Sequence, residues 1–157
     1  MANHKEVKVA VLMGSQSDES VMQHCVQLLE YFNIPHEVHV MSAHRNPHEV
    51  NAFTQSIDER GIQVVIAGAG MAAHLPGVLA SQTTVPVIGV PLGGSSLGGQ
   101  DALYSMVQMP SGIPVATVAI GKAGAKNAAI LAAEILALQD NELQMKLMAF
   151  RKQGSKI

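Results

Sequence analysis

His44 and Arg45 stand side by side in the stretch Ser42-Ala43-His44-Arg45-Asn46-Pro47. An imidazole changes charge near neutral pH and serves as general acid and base. A guanidinium grips phosphate through two parallel hydrogen bonds. A second stretch, Gly14-Ser15-Gln16-Ser17-Asp18, offers hydroxyls and backbone N–H groups at a helix start, a natural anion site. In it Gly14 allows a tight turn, Ser15 and Ser17 suit a phosphate, and Asp18 suits two sugar hydroxyls. The same residue types also cap helices, an effect worth about 1 kcal/mol, and on spacing alone capping is the simpler account. A surface His-Arg pair is equally what plain solvation produces. The end of a strand beside the first stretch is where it becomes interesting.

A third stretch, Gly68-Ala69-Gly70-Met71-Ala72-Ala73-His74-Leu75-Pro76-Gly77, carries G-x-G-x-x-A after an apolar run. That pattern invites a dinucleotide-binding reading, which requires an acidic residue about 20 positions on to hold the ribose. The interval falls in VPVIGVP, which has no acid, so that reading is rejected. Small residues here instead let the backbone pass close to a planar ligand. His74 fits a catalytic place, a helix cap or a hydrogen-bonded core position. The fourth stretch, PLGGSSLGGQ over Pro91–Gln100, reads as a lid or as an inter-subunit turn.

Other chemistries are not expected. His44 and His48 are four apart, but Pro47 places His44 ahead of the helix; His36 and His39 point to opposite faces of a strand. With no H-E-x-x-H, no catalytic metal is expected, and neither is a Ser-His-Asp triad on a nucleophile elbow. The four stretches hold no Phe, Tyr or Trp to sandwich a flavin, which counts against a mononucleotide-binding flavodoxin-like module.

Alternating elements would hold these stretches. Val7–Met13, His36–Met41, Ile62–Ala67, Val85–Val90 and Ile113–Ile120 read as strands. Between them, helical spacing covers Val21–Phe32, the segment after Asn46, Ala72–Ser81 and Gln100–Met109, with Ala123–Leu138 and a last amphipathic helix to follow. Asn46 reads as an N-cap, Pro47 as the first helical residue, Glu49 as completing the cap, and Gly61 as a stop. Strands alternating with helices predict one three-layer α/β/α domain over residues 1–157, with five parallel strands between two helical layers. Ligands in such sheets bind beyond the carboxyl ends of the strands, where the four stretches lie.

Composition narrows the class further. Of 157 residues 48% are hydrophobic, which excludes disorder, while net charge −2 and 3% aromatics argue against nucleic-acid binding. One cysteine, Cys25, precludes an internal disulfide. No apolar leader and no membrane-length apolar run is seen, which predicts a cytoplasmic protein without membrane contact. Charged residues are only 14%, and from Gly61 to Gly121 the sole Asp, Glu, Lys or Arg is Asp101. That scarcity predicts a homo-oligomer, with this segment buried in core and subunit contacts. A purely structural oligomer would explain the neutral segment but not the converging His, Arg, Ser and Asp.

Taken together, MGSQSD, SAHRNP, AGAGMAAHLPG, VPVIGVP, DALYSMVQMPSGIPVATVAIG and KNAAILAAEILA, in this order from about Val9 to Leu138, resemble the PurE family of purine biosynthesis. The AAHLPG form is similar to the class I members, which are N5-carboxyaminoimidazole ribonucleotide mutases. The alternative is the class II reaction, carboxylation of aminoimidazole ribonucleotide by CO2. The resemblance implies a flavodoxin-like (Rossmann-like) fold, a homo-octamer with its C-terminal helix on a neighbouring subunit, and no cofactor. It further implies that Ser15, Ser17, Ser42 and Arg45 hold the 5′-phosphate end and Asp18 the ribose hydroxyls. His44 would be the general acid and base. Gly70, Ala72 and Leu75 would line the base and carboxylate pocket, with His74 nearby. Two departures touch loop motion: Met71 stands where many members have Gly, and LGGSSLGG is richer in glycine than the usual loop.

Overall fold

The computed structural model describes residues 6–156. Strand β1 (Val9–Met13) is buried along its whole length. Its side chains alternate between two cores, as a period of two requires. Val9, Val11 and Met13 join one cluster, and Ala10 and Leu12 the other. The remaining strands are β2 (His36–Val40), β3 (Val64–Gly70), β4 (Val87–Leu92) and β5 (Ala116–Thr117). All pair in parallel in the order β2-β1-β3-β4-β5. This is the doubly wound order whose crevice opens where β1 and β3 send their chains to opposite faces.

Helices α1 (Glu19–Tyr31), α5 (Lys122–Ala137) and α6 (Asn141–Lys152) cover the first core; α2 (Pro47–Ser56), α3 (Leu75–Ala80) and α4 (Gln100–Val107) cover the second. The three-layer expectation therefore holds. Helix α5 turns a face of Gly124, Ala125, Ala128, Ala129, Ala132 and Ala133 inward, so it lies close on α1 and the sheet. A Cβ on Gly124 would overlap the Ala119 carbonyl. Helix α6 buries Leu143, Leu147 and Phe150 within its own chain. There Phe150 meets Phe32 edge-on at 5.4 Å and Tyr31 at 5.8 Å.

Several boundaries differ from expectation. β5 is two residues long rather than the eight-residue Ile113–Ile120. Pro114 has no N–H to donate and the strand lies at the sheet edge, so only Ala116 and Thr117 pair with β4. β3 and β4 run on to Gly70 and Leu92, because the G-x-G is strand rather than loop and Pro91 is tolerated at the end of β4. Helix α3 starts at Leu75, not Ala72. Gly61 closes the turn after α2, at φ +70°, rather than the helix itself. Pro47 opens α2 as expected, but the Asn46 side chain does not cap it. Asn46 Oδ1 accepts the Ser42 N–H instead, at 3.2 Å, and so closes the loop that precedes the helix.

Candidate active site

The carboxyl ends of β1 to β4 bound a cleft of about 430 Å3, within the usual range of small-molecule pockets. Ser15, Ser17, Asp18, Ser42, His44, Arg45, Gly70, Ala72, His74 and Leu75 all line it, so every residue expected from sequence reaches one place. Gly14, Ala43, Ala69, Met71, Leu92 and Gly94 complete the wall. Leu92 and Gly94 belong to the fourth stretch but were not singled out as site residues; their place directly after the fourth apolar run was the available signal. A larger depression of about 740 Å3 lies at the opposite end of the sheet, between Lys8, Pro35, Gln63, Pro86 and the α5–α6 turn. It has no histidine, and it sits at the amino ends of the strands, away from the crevice a parallel sheet creates.

The first loop both caps and lines. Ser15 Oγ accepts from the Ser17 N–H at 3.4 Å and from Ser17 Oγ–H at 3.0 Å, and Asp18 Oδ2 accepts the Ser15 N–H at 3.1 Å. This reciprocal box holds the turn into α1 and leaves the Ser17 hydroxyl exposed beside the cleft. Burial raises the Asp18 carboxyl above its usual 3.8, while the Ser15 N–H and the Arg45 charge oppose that rise. A half-buried carboxylate short of water is suited to accepting hydroxyl hydrogens from a ligand.

The second loop turns on Ser42, only 8% exposed. Its Oγ accepts the N–H groups of His44 at 3.3 Å and Arg45 at 3.2 Å, and Asn46 N–H donates to Ser42 O at 2.7 Å. Ser42 therefore holds the backbone that presents His44 and Arg45, with one hydroxyl hydrogen left over for an anion. His44 and Arg45 are both exposed at the cleft mouth.

His74 meets neither the capping nor the core reading. It occupies the N-cap position of α3 without capping through its side chain, and it is exposed rather than core. Its Nδ1 lies 2.6 Å from His44 Nε2, the rings edge-on at 4.7 Å between centroids. At that distance the two rings are placed to share a hydrogen, one donating and the other accepting according to tautomer. Met71, just before, takes φ +55°, a left-handed angle costing a non-glycine residue about 1–2 kcal/mol. This is the physical reason glycine suits the position, and it leaves the Met71 side chain 65% exposed at the cleft.

Gly68, first of the G-x-G pair, serves packing: a Cβ there would overlap the Met22 side chain of α1. The letters G-x-S-x-G do occur, at Gly94–Gly98, contrary to expectation. Ser96 at their centre is exposed and bonds to no histidine among the described residues, so no elbow forms. No group of three metal-ligating side chains is found among the described residues.

A doubly wound α/β fold with a serine-rich loop, a His-Arg loop and two adjacent histidines at its switch point defines the class: a protein with a small-molecule cleft at the carboxyl end of a parallel sheet. The AIR carboxylase family model matches residues 8–156, and the chain belongs to that family. It is 54% identical over 151 residues to the N5-carboxyaminoimidazole ribonucleotide mutase of Escherichia coli K12, covering 96% of this chain and 89% of that one. The Bacillus subtilis 168 protein of the same name is 53% identical over 139 residues, covering 88% and 86%. Among solved structures, Treponema denticola PurE superposes with TM-score 0.85 at 30% identity, covering 94% of this chain and 90% of that chain.

Proposed function

We propose that the cleft converts N5-carboxyaminoimidazole ribonucleotide to 4-carboxy-5-aminoimidazole ribonucleotide. One observation carries the reading: relatives of that name match nearly the whole chain at about half identity. The cleft has groups suited to each part of the task. Ser15, Ser17, Ser42 and Arg45 bind the phosphate end and Asp18 the ribose hydroxyls. Gly70, Ala72 and Leu75 form the side on which the imidazole and CO2 lie.

The carboxyl group leaves the exocyclic nitrogen as CO2, and the bonding pair stays on nitrogen, which takes a proton from His44. C4 then attacks CO2 with its ring π electrons. The C4 proton passes to His44, restoring both the aromatic ring and the acid. Atoms and charge balance without ATP, metal or organic cofactor. The small-residue wall keeps CO2 beside the ring, and the phosphate and ribose contacts hold the ring still meanwhile. His74, sharing one hydrogen with His44, orients the catalytic ring.

The deciding experiment follows product absorbance in ATP-free N5-carboxyaminoimidazole ribonucleotide, beside reactions with aminoimidazole ribonucleotide and bicarbonate. Fast turnover of the first alone is expected. Turnover only with CO2 and free aminoimidazole ribonucleotide would make the chain a carboxylase, and silence in both would withdraw the mechanism.

We read the chain further as a cytoplasmic homo-octamer. Exposed Val38, Val40, Leu97, Tyr104, Val107, Met145 and Met148, together with the sparsely charged segment, support subunit contacts. Among the described residues no helix is long and apolar enough to cross a membrane.

A further inference from the structure

The loop between β4 and α4 is the part of the cleft wall with the least intrinsic order. Four of its residues, Gly93, Gly94, Gly98 and Gly99, are glycine, and the last two take φ +63° and +89°. Glycine gives up more backbone freedom on ordering than any other residue. The loop nevertheless has a defined closed shape. Gly98 N–H donates to Ser95 O at 3.1 Å and Gln100 N–H to Leu97 O at 3.2 Å. Its two ends touch: a Cβ on Gly99 would stand 3.2 Å from Gly93 Cα and 2.7 Å from Ile120 Cγ2.

At the centre of this loop, Ser95 makes two side-chain bonds. Its Oγ accepts the Leu97 N–H at 3.1 Å and donates its single hydrogen to Asp101 Oδ1 at 2.9 Å. Asp101 is half-buried in the first turn of α4. It is also the sole Asp, Glu, Lys or Arg between Gly61 and Gly121. A charge-assisted bond is the strongest single tether such a loop can have.

We infer that Ser95 and Asp101 are positioning residues for the substrate cleft, their hydroxyl–carboxylate bond latching the glycine-rich loop so that Gly94 stands in the wall before substrate arrives. Neither side chain lines the cleft. Without the latch, ordering of the loop moves into the binding step, so affinity falls while the bound complex reacts as before. The kinetic half of this inference rests on the proposed function.

The test compares the parent with Ser95→Ala and Ser95→Thr, leaving Asp101 and the start of α4 intact. Ser95→Ala is expected to raise KM for N5-carboxyaminoimidazole ribonucleotide about tenfold, the effect of losing one bond to a charged group, with kcat within about twofold. Ser95→Thr, which keeps the hydroxyl, restores KM. Hydrogen exchange in the substrate-free protein gives a reading independent of activity: the Leu97 amide exchanges faster in Ser95→Ala and returns to parent behaviour in Ser95→Thr. Unchanged Leu97 exchange in Ser95→Ala overturns the latch. Faster exchange with unchanged KM overturns its part in the cleft. A parent inert toward the nucleotide overturns the functional reading and the kinetic half with it, while Leu97 exchange still decides the latch.

Discussion

In the proposed reaction His44 and Asp18 carry the heaviest chemical load among the residues of the cleft, and each makes a separate prediction. If His44 both gives and takes the proton, His44→Asn should lower turnover by about 10²-fold or more while nucleotide binding persists. Turnover and a binding isotherm on the same variant check this, and near-normal turnover removes His44 from the mechanism. Asp18 is raised because burial disfavours its charged form. Its stabilising contribution is therefore present below the ordinary carboxyl value of 3.8 and is lost as pH rises through the higher folded value. Asp18→Asn keeps an oxygen for the Ser15 N–H and removes the buried charge. The variant should gain thermal stability relative to the parent near neutral pH, with the gain shrinking as pH falls through the parent's raised folded value and below 3.8, yet bind nucleotide more weakly. Melting curves across that range check the sign, and a pH-independent difference would place the cost elsewhere.

At the scale of elements, the cleft depends on helices that pack tightly enough to aim their loops. Helix α5 packs through small residues, and Gly124 in its first turn abuts the backbone of Ala119, in the segment that leads from β5 into the helix. A backbone carbonyl yields little, so Gly124→Ala belongs at the upper end of overpacking costs, about 3 kcal/mol. At about 2–4 °C per kcal/mol for a chain this long, calorimetry should show a melting point lower by roughly 10 °C. A drop under about 2 °C would mean that the segment 118–121 relaxes freely. That segment is tied to β4 by Val118 N–H to Gly89 O at 3.1 Å and Gly121 N–H to Pro91 O at 2.8 Å. Behind the His44 loop, edge strand β2 is tied to the segment after α2 by Glu37, which pairs with Arg60.

For the whole molecule, the scarcity of charge has two sources. Part is internal: β3 and β4 lie in the middle of the sheet and are buried almost throughout, so these strands have no water-facing side to charge. The remainder falls on exposed apolar side chains such as Leu97, Tyr104 and Val107, which a monomer would leave in water. Sedimentation should therefore find an assembly rather than a monomer; for the proposed octamer this means eight 16.5 kDa chains, and a monomer or a smaller assembly at micromolar concentration would remove the octamer.

Periodicity in the sequence determined the layers, the parallel sheet and the four loops at its carboxyl end, because burial on both faces writes continuous apolar runs for strands and a repeating stripe for helices. The loops that hold the cleft residues were legible too, since they follow the strand ends, while the choice of residues within them came from the family resemblance. Partner choice was decided only in three dimensions. Asn46 has the right type and place to cap α2, but Ser42 N–H competes for its oxygen once the loop closes. Ile113–Ile120 alternates like a strand, yet an edge position and Pro114 leave two residues paired. His74 could cap, pack or react; in the fold it neither caps nor packs in the core, and its ring meets His44, 30 residues away in the chain and 2.6 Å away in space. Such choices turn on which donor and acceptor arrive together when β1, β2 and β3 align, and local pattern carries no information on that.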